Sequence, residues 1–109
     1  MSWDKEITGI AQRRQLVSEQ GGAQAVAKQH ERGKQTVRER IARLFDDGSF
    51  REYGRTAGGA VLDDDGEIDT FTPANYIVGF GNINGRGAVV GGEDFTVKGG
   101  SPNAAGLRK

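Results

Sequence analysis

The sequence predicts an α/β chain in which helices come first and strands second, and three observations carry that reading. Thr36-Val37-Arg38-Glu39 fits a capping box, and behind it Val37, Ile41, Leu44 and Phe45 form one apolar stripe. Asn84-Gly85 favours a two-residue type I′ turn between two runs rich in β-branched and aromatic residues. Gly99-Gly100-Ser101-Pro102 reads as a loop feeding a new helix, with Ser101 as N-cap and Pro102 as the first helical residue. The resulting layout is a helical segment over 1–58 and strands over 59–109, closing on the start of a helix.

In chain order, Trp3, Ile7, Ile10 and Val17 lie on one side of an amphipathic helix that runs to about Gln20 and stops at Gly21-Gly22. A weaker helix over Ala23–Arg32 offers only Ala23, Val26 and Ala27 as an apolar face, so it must lean on a partner. The capped third helix ends in the turn residues Asp46-Asp47-Gly48-Ser49, with Phe50 and Tyr53 expected to pack behind it. Gly58-Gly59 reads as a break and Val61-Leu62 as a short strand; the acidic run from Asp63 to Asp69 reads as a solvated turn. A hairpin then pairs Tyr76–Ile83 with Arg86–Gly92. Tyr76, Val78 and Phe80 share one face; Ile77, Gly79, Gly81 and Ile83 share the other. Glycines in those pleats mean that another backbone or a ligand comes close.

Composition narrows the function. The chain has 109 residues, enough for one modest domain. Fifteen basic and fifteen acidic residues cancel, which excludes a general nucleic-acid or anionic-membrane surface. Eighteen glycines and a hydrophobic fraction of 35% leave a thin core. Without cysteine there is neither a disulfide framework nor thiolate chemistry, and no apolar run approaches membrane-spanning length. A soluble intracellular chain is the expectation.

No reaction follows from the side chains alone. The acidic run fails as an EF-hand, because placing Gly66 at loop position 6 puts Val61 and Thr72 at the outer ligand positions. Gly79, Gly81 and Gly85 miss the dinucleotide spacing by one residue and lie in a hairpin. Gly33-Lys34 lacks the rest of a P-loop, and His30, the single histidine, belongs to no triad or metal set. Two anion-binding candidates stand. Lys28, Arg32, Lys34, Arg38, Arg40 and Arg43 form a basic set that is either a solvated, salt-bridged face or a holder of phosphate. The Gly99–Ser101 turn is either a plain loop-to-helix joint or bare amides aimed at an oxyanion.

Two stretches add a resemblance. His30-Glu31-Arg32-Gly33-Lys34-Gln35-Thr36-Val37-Arg38-Glu39-Arg40-Ile41, followed by Leu44-Phe45-Asp46-Asp47-Gly48-Ser49-Phe50, resembles the opening of the beta-type carboxyltransferase subunit of biotin-dependent acyl-CoA carboxylases. Gly79-Phe80-Gly81 through Gly85-Arg86, then Asp94-Phe95-Thr96-Val97-Lys98-Gly99-Gly100-Ser101, is similar to the same family's next motif. The resemblance implies a crotonase/ClpP-like layered fold. It also implies carboxyl transfer between carboxybiotin and an acyl-CoA of the acetyl-, propionyl- or methylcrotonyl-CoA type, or the reverse in related decarboxylases. The enolate oxyanion would be held by glycine-rich turns further along a longer chain, and a second half-domain would complete the biotin site.

The implied cofactor is biotin on a separate carrier domain, with acyl-CoA as substrate. The implied partners are the biotin carboxyl carrier protein, the biotin carboxylase subunit and further copies of the chain, with no nucleic acid, membrane or metal. The cytoplasm, or the mitochondrial matrix in a eukaryote, is the expected compartment. Lys34, Arg38, Gly99, Gly100 and Ser101 are the expected contacts to the CoA end, on charge and backbone grounds; no catalytic residue is assigned. Lys98 and Pro102-Asn103-Ala104 depart from the family pattern, which often has an apolar or aromatic residue at the first and Leu-Gly-Glu at the second. The alternative is a non-catalytic interaction module whose hairpin docks on a partner chain. The paired strands are expected to need cover from polypeptide beyond position 109, and the isolated piece to be poorly stable.

Overall fold

The computed structural model describes all 109 residues. Helices α1 (Asp4–Ser18), α2 (Ala23–Glu31) and α3 (Val37–Leu44) precede five strands: β1 (Arg51–Tyr53), β2 (Gly58–Leu62), β3 (Ile68–Pro73), β4 (Tyr76–Ile83) and β5 (Arg86–Glu93). A 3-10 turn at Lys98–Gly100 and the short α4 (Ala104–Leu107) follow. β1, β4 and β5 form one antiparallel sheet in that order, and β2 pairs with β3 in a separate hairpin.

α3 begins as its sequence dictates. The Thr36 hydroxyl accepts from the Glu39 amide at 3.2 Å, and Glu39 Oε1 accepts from the Thr36 amide at 3.0 Å. Ile41 and Phe45 then meet Ile77 in the core, flanked by Val37, Phe50, Ile83, Ala88 and Val90. Leu44, expected on this stripe, is exposed. The helix ends there, and Phe45 leaves in an extended conformation that carries its ring over Gly81. A Cβ on Gly81 would lie 2.8 Å from that ring, and one on Gly79 would lie 2.3 Å from the Arg51 carbonyl oxygen. The glycines of β4 therefore admit an aromatic ring and the backbone of β1.

The β4–β5 turn is type I′: Asn84 and Gly85 have φ of 51° and 78°. Asp46, just past α3, accepts from both turn amides at 2.9 and 2.8 Å, while its own amide donates to Asn82 O at 2.8 Å. The helix end and the hairpin tip are thus one hydrogen-bonded unit.

Several expectations change. Gly58-Gly59 is no break but the start of β2, where Gly58 lies under the Phe71 ring of β3. Ile68 and Asp69 belong to β3; the solvated turn spans only 63–67, closed by Asp63 carboxylate bonds from the Asp65 and Glu67 amides. Tyr53 does not pack: β1 presents it on the sheet's outer side with Phe80 and Val89, all exposed. Ser101 and Pro102 do not start the last helix. Asn103 caps it instead, accepting from the Gly106 amide at 2.8 Å. Asn75 Nδ2 holds the Ser101 carbonyl, which keeps Ser101 extended.

Only 11 of 109 residues are buried, and the radius of gyration is 15.2 Å. A compact domain of 100 residues has about 13 Å, so the chain is spread out over its small core. No helix is long and apolar enough to cross a membrane.

Gly79→Ala should cost about 1–3 kcal/mol by forcing β1 from β4, whereas Gly87→Ala, with open space around it, should change stability by less than about 0.5 kcal/mol. Urea unfolding followed by circular dichroism checks the pair; equal midpoints would refute the close approach. The capping box gives a second expectation. Thr36→Ala should cost about 1 kcal/mol. His30 Nε2 donates to Glu39 Oε1 at 2.6 Å; that bond first, then those from Thr36, hold the Glu39 carboxyl at about 2 instead of 4.5. A carboxyl whose pKa falls on folding stabilises the fold above about pH 4.5, and loses that contribution as pH drops toward 2. Thermal midpoints of the parent should therefore fall more steeply over that window than those of Glu39→Gln.

Candidate functional site

The chain's basic and glycine-rich candidates converge on Phe95, which follows β5 and is half exposed. Its backbone is anchored by two buried polar residues. Asp94 donates its amide to Asn75 O at 2.7 Å, and its carboxylate accepts from the Thr96 amide and hydroxyl at 2.9 and 2.6 Å. Asn75 Nδ2 donates to Val97 O at 3.3 Å and to Ser101 O, so it ties both ends of the 97–101 turn to the start of β4. Within that turn Lys98, Gly99 and Gly100 all have positive φ, at 50°, 61° and 77°. A lysine in this region is uncommon, so the Asn75 clamp holds a backbone shape that Lys98 would not adopt by preference.

The helices reach the same corner from the other side. The Gly21 amide donates to Thr96 Oγ1 at 3.0 Å, and a Cβ on Gly21 would collide with the Thr96 carbonyl. The α1–α2 elbow is thereby pressed onto the segment beside Phe95. Two open depressions result, sharing Phe95 and Gln29. One, of about 320 Å³, includes Lys34, Arg40 and the acidic Glu93; the other, of about 200 Å³, includes Lys28, Arg32 and Gly99. Gly100 lies against Phe95, where a Cβ would be 3.5 Å from the ring.

Of the five expected contact residues, the structure brings Lys34, Gly99 and Gly100 around Phe95, ties Ser101 back to Asn75 through its carbonyl, and places Arg38 elsewhere. Arg38 makes a bidentate pair with Glu52 of β1, Nη1 to Oε2 at 2.8 Å and Nη2 to Oε1 at 2.9 Å. The two side chains are 23% and 8% exposed, so this guanidinium is committed to holding β1 under α3. The basic set is not salt-bridged as a whole. His30–Glu39 and Arg38–Glu52 are the ion pairs present, and Lys28, Arg32, Lys34 and Arg40 have no carboxylate within 4.0 Å.

Asn75 and Phe95 are the residues that reading the sequence for chemistry does not single out. Phe95 lies inside a quoted motif, but nothing local marks it as the centre of a basic surface. Asn75 acts across 26 residues, a separation no spacing rule covers. The resulting arrangement is an aromatic ring flanked by unpaired cations; the Gly100 and Ser101 amides, expected to be bare, donate within their own turn to Val97 O at 3.0 Å and Lys98 O at 3.2 Å. The arrangement can bind an anion joined to a flat or apolar group, and it contains no nucleophile or base paired for a covalent step.

Residues 28–109 match the carboxyl transferase domain family. The chain is 40% identical over 98 residues to the propionyl-CoA carboxylase beta chain of Cereibacter sphaeroides, covering 89% of this chain and 19% of that one. It is 41% identical over 81 residues to the methylmalonyl-CoA decarboxylase subunit alpha of Veillonella parvula, covering 74% and 16%. Among solved structures, transcarboxylase 12S with methylmalonyl-coenzyme A and methylmalonic acid bound superposes with a TM-score of 0.74 at 34% identity, over 93% of this chain and 20% of that one. The beta subunit of Pseudomonas aeruginosa geranyl-CoA carboxylase gives 0.68 at 27%, over 94% and 18%. The chain spans about one fifth of the length of these relatives, its helices and strands are a partial carboxyltransferase fold of the crotonase-like type, and it belongs to the carboxyl transferase domain family.

Proposed function

We propose that this chain is the N-terminal part of a carboxyltransferase subunit that moves a carboxyl group to or from an acyl-CoA. We further propose that its surface around Phe95 receives the phosphate-bearing end of the coenzyme. One observation carries the second statement: Lys34, Arg40, Lys28 and Arg32, none with a carboxylate within 4.0 Å, line the two depressions that share the exposed Phe95 ring, with Gly99 in one of them and Glu93 in the other. Lys34 supplies a mobile point charge and Arg40 a planar fork for phosphate oxygens. The ring offers a face for a purine, and the turn supplies a fixed backbone surface beside it. Arg38 serves this surface indirectly, by holding β1 through Glu52.

No step involving carboxybiotin is assigned to the residues that line this chain's open depressions. That chemistry, the biotin carrier and the biotin carboxylase subunit belong to the parent assembly in our reading, with further copies of the same chain. The cytoplasm or the mitochondrial matrix, where CoA thioesters are handled, is the compartment we assign.

Titration of coenzyme A into the chain tests the surface. Lys34→Ala should weaken binding about tenfold, the loss of one charge-assisted contact. Affinity should fall with added salt, and pantetheine, which lacks the phosphates, should not bind. Unchanged affinity in Lys34→Ala and Arg40→Ala variants with wild-type circular dichroism would remove the assignment.

A further inference from the structure

Asn84-Gly85 is the chain's single Asn-Gly pair, and its chemistry goes beyond its use as a turn. An asparagine side-chain amide is an electrophile, and the backbone nitrogen of the next residue is a nucleophile within reach. Attack of that nitrogen on Cγ closes a five-membered ring, and a following glycine leaves the approach open. The other three asparagines are poorly placed for it. Asn75 is 2% exposed and precedes Tyr76, while Asn82 precedes the β-branched Ile83. Asn103 has both side-chain atoms engaged, accepting from the Gly106 amide at 2.8 Å and donating to Pro73 O at 3.2 Å. Asn84 is exposed, and only its backbone amide is bonded to the rest of the protein.

We propose that Asn84 is a latent modification site, held closed by Asp46 in the folded chain and opened when the end of α3 parts from the hairpin tip. The Gly85 amide, the nucleophile, donates to Asp46 Oδ2 at 2.8 Å, and the Asn84 amide donates to Oδ1 at 2.9 Å. Attack requires the Gly85 nitrogen to shed its proton, and a carboxylate is far too weak a base to take it. Its charge instead opposes the negative charge that would develop on that nitrogen and on the Asn84 oxygen. Ring closure also needs rotation about ψ of Asn84, to swing the nitrogen onto Cγ. In a type I′ turn with φ of 51° and 78°, that rotation breaks at least one of the two bonds to Asp46. The rate is then set by how often this corner opens locally.

Once the corner opens, water is the only co-reactant. The Gly85 nitrogen bonds to Asn84 Cγ, and the side-chain nitrogen leaves as ammonia with the proton that Gly85 gives up. Water then opens the ring at either carbonyl. One opening leaves aspartate at position 84; the other leaves isoaspartate, with the main chain routed through the side chain and one methylene longer. Either product adds a carboxylate near Asp46, and the longer main chain no longer fits a two-residue turn, so the original corner does not re-form. The proposal does not depend on the acyl-CoA reading.

Incubation at mildly alkaline pH, followed by peptide mapping with mass spectrometry, measures the amide-to-acid conversion at Asn84, and chromatography resolves isoaspartate from aspartate. Asp47-Gly48 and Asp65-Gly66 form the same kind of ring without a net change in mass, so they do not enter the signal. The folded chain should convert at least about tenfold more slowly than the same chain in urea. Asp46→Asn, which removes the charge and one of the two acceptors, should convert about tenfold faster than the folded parent while keeping its circular dichroism. Asn84→Gly should abolish the signal from that peptide. Three results would overturn the proposal: a folded parent as reactive as the unfolded chain, a folded Asp46→Asn variant with the parent's rate, or one slower than the parent, which would make Asp46 a base for the step. Where Asp46→Asn does not fold, the folded-to-unfolded ratio of the parent decides alone.

Discussion

Everything in the three-stranded sheet depends on how closely β4 can be approached. Gly79 and Gly81 leave its inner side bare, so the Arg51 carbonyl and the rings of Phe50 and Phe45 lie where side chains would otherwise stand. Those two rings are 4.9 Å apart and tilted by 41°, a favourable aromatic contact. β1 is only three residues long and would not pair on its own strength. It is held because Glu52 is gripped by Arg38 above it and because nothing projects from Gly79 beneath it. Asp46 completes the arrangement by fastening the end of α3 to the hairpin tip. The helix, the short strand and the hairpin thus form one unit, with a core no deeper than Ile41, Phe45 and Ile77.

A second constraint joins that unit to the surface around Phe95. Asn75 lies at the entry to β4, and its buried amide group fixes the carbonyls of Val97 and Ser101. A buried amide left without partners costs more than its bonds contribute, so Asn75 and the turn are ordered together or not at all. Thr96 passes the order on, through its hydroxyl, to the elbow between α1 and α2. The position of Lys28, Arg32 and Lys34 relative to Phe95 therefore traces back to one asparagine and one threonine, neither of which touches the basic side chains directly.

What was legible in the sequence was what is local. The capping box, the Asn84-Gly85 turn and the helix stops at Gly21-Gly22 and Gly33 each depend on a few neighbouring residues, and each stands where the residue types require. β1 was hidden because three residues carry no period; only pairing with β4 makes Arg51–Tyr53 a strand. β3 was hidden by the acidic run before it, although Phe71 closes over Gly58 and makes that hairpin cohere. The last helix starts at Asn103 and not at Ser101 for a non-local reason, since Asn75 claims the Ser101 carbonyl. At the candidate site, Lys34 and the glycine turn could be named from charge and backbone chemistry. That Arg38 would be withdrawn into an ion pair with Glu52 could not, because no spacing rule joins position 38 to position 52.

The balance of interactions says where such a chain is strong. It has 59 backbone hydrogen bonds, against roughly 75 for a compact domain of this length, and most of its apolar groups outside the small core remain exposed. Cohesion therefore comes from caps, tight turns and paired strands more than from burial. Tyr53, Phe80 and Val89 lie on the outer side of the same sheet whose inner side is filled, with β1 and β5 both at its edges. Burying such a side chain is favourable by about 1.5–3 kcal/mol, comparable to a substantial part of the stability of a small domain. The free energy still available to this chain thus lies mainly on that outer side and along α1, and polypeptide that covers either would reinforce a framework already set by the contacts at Gly79 and Gly81.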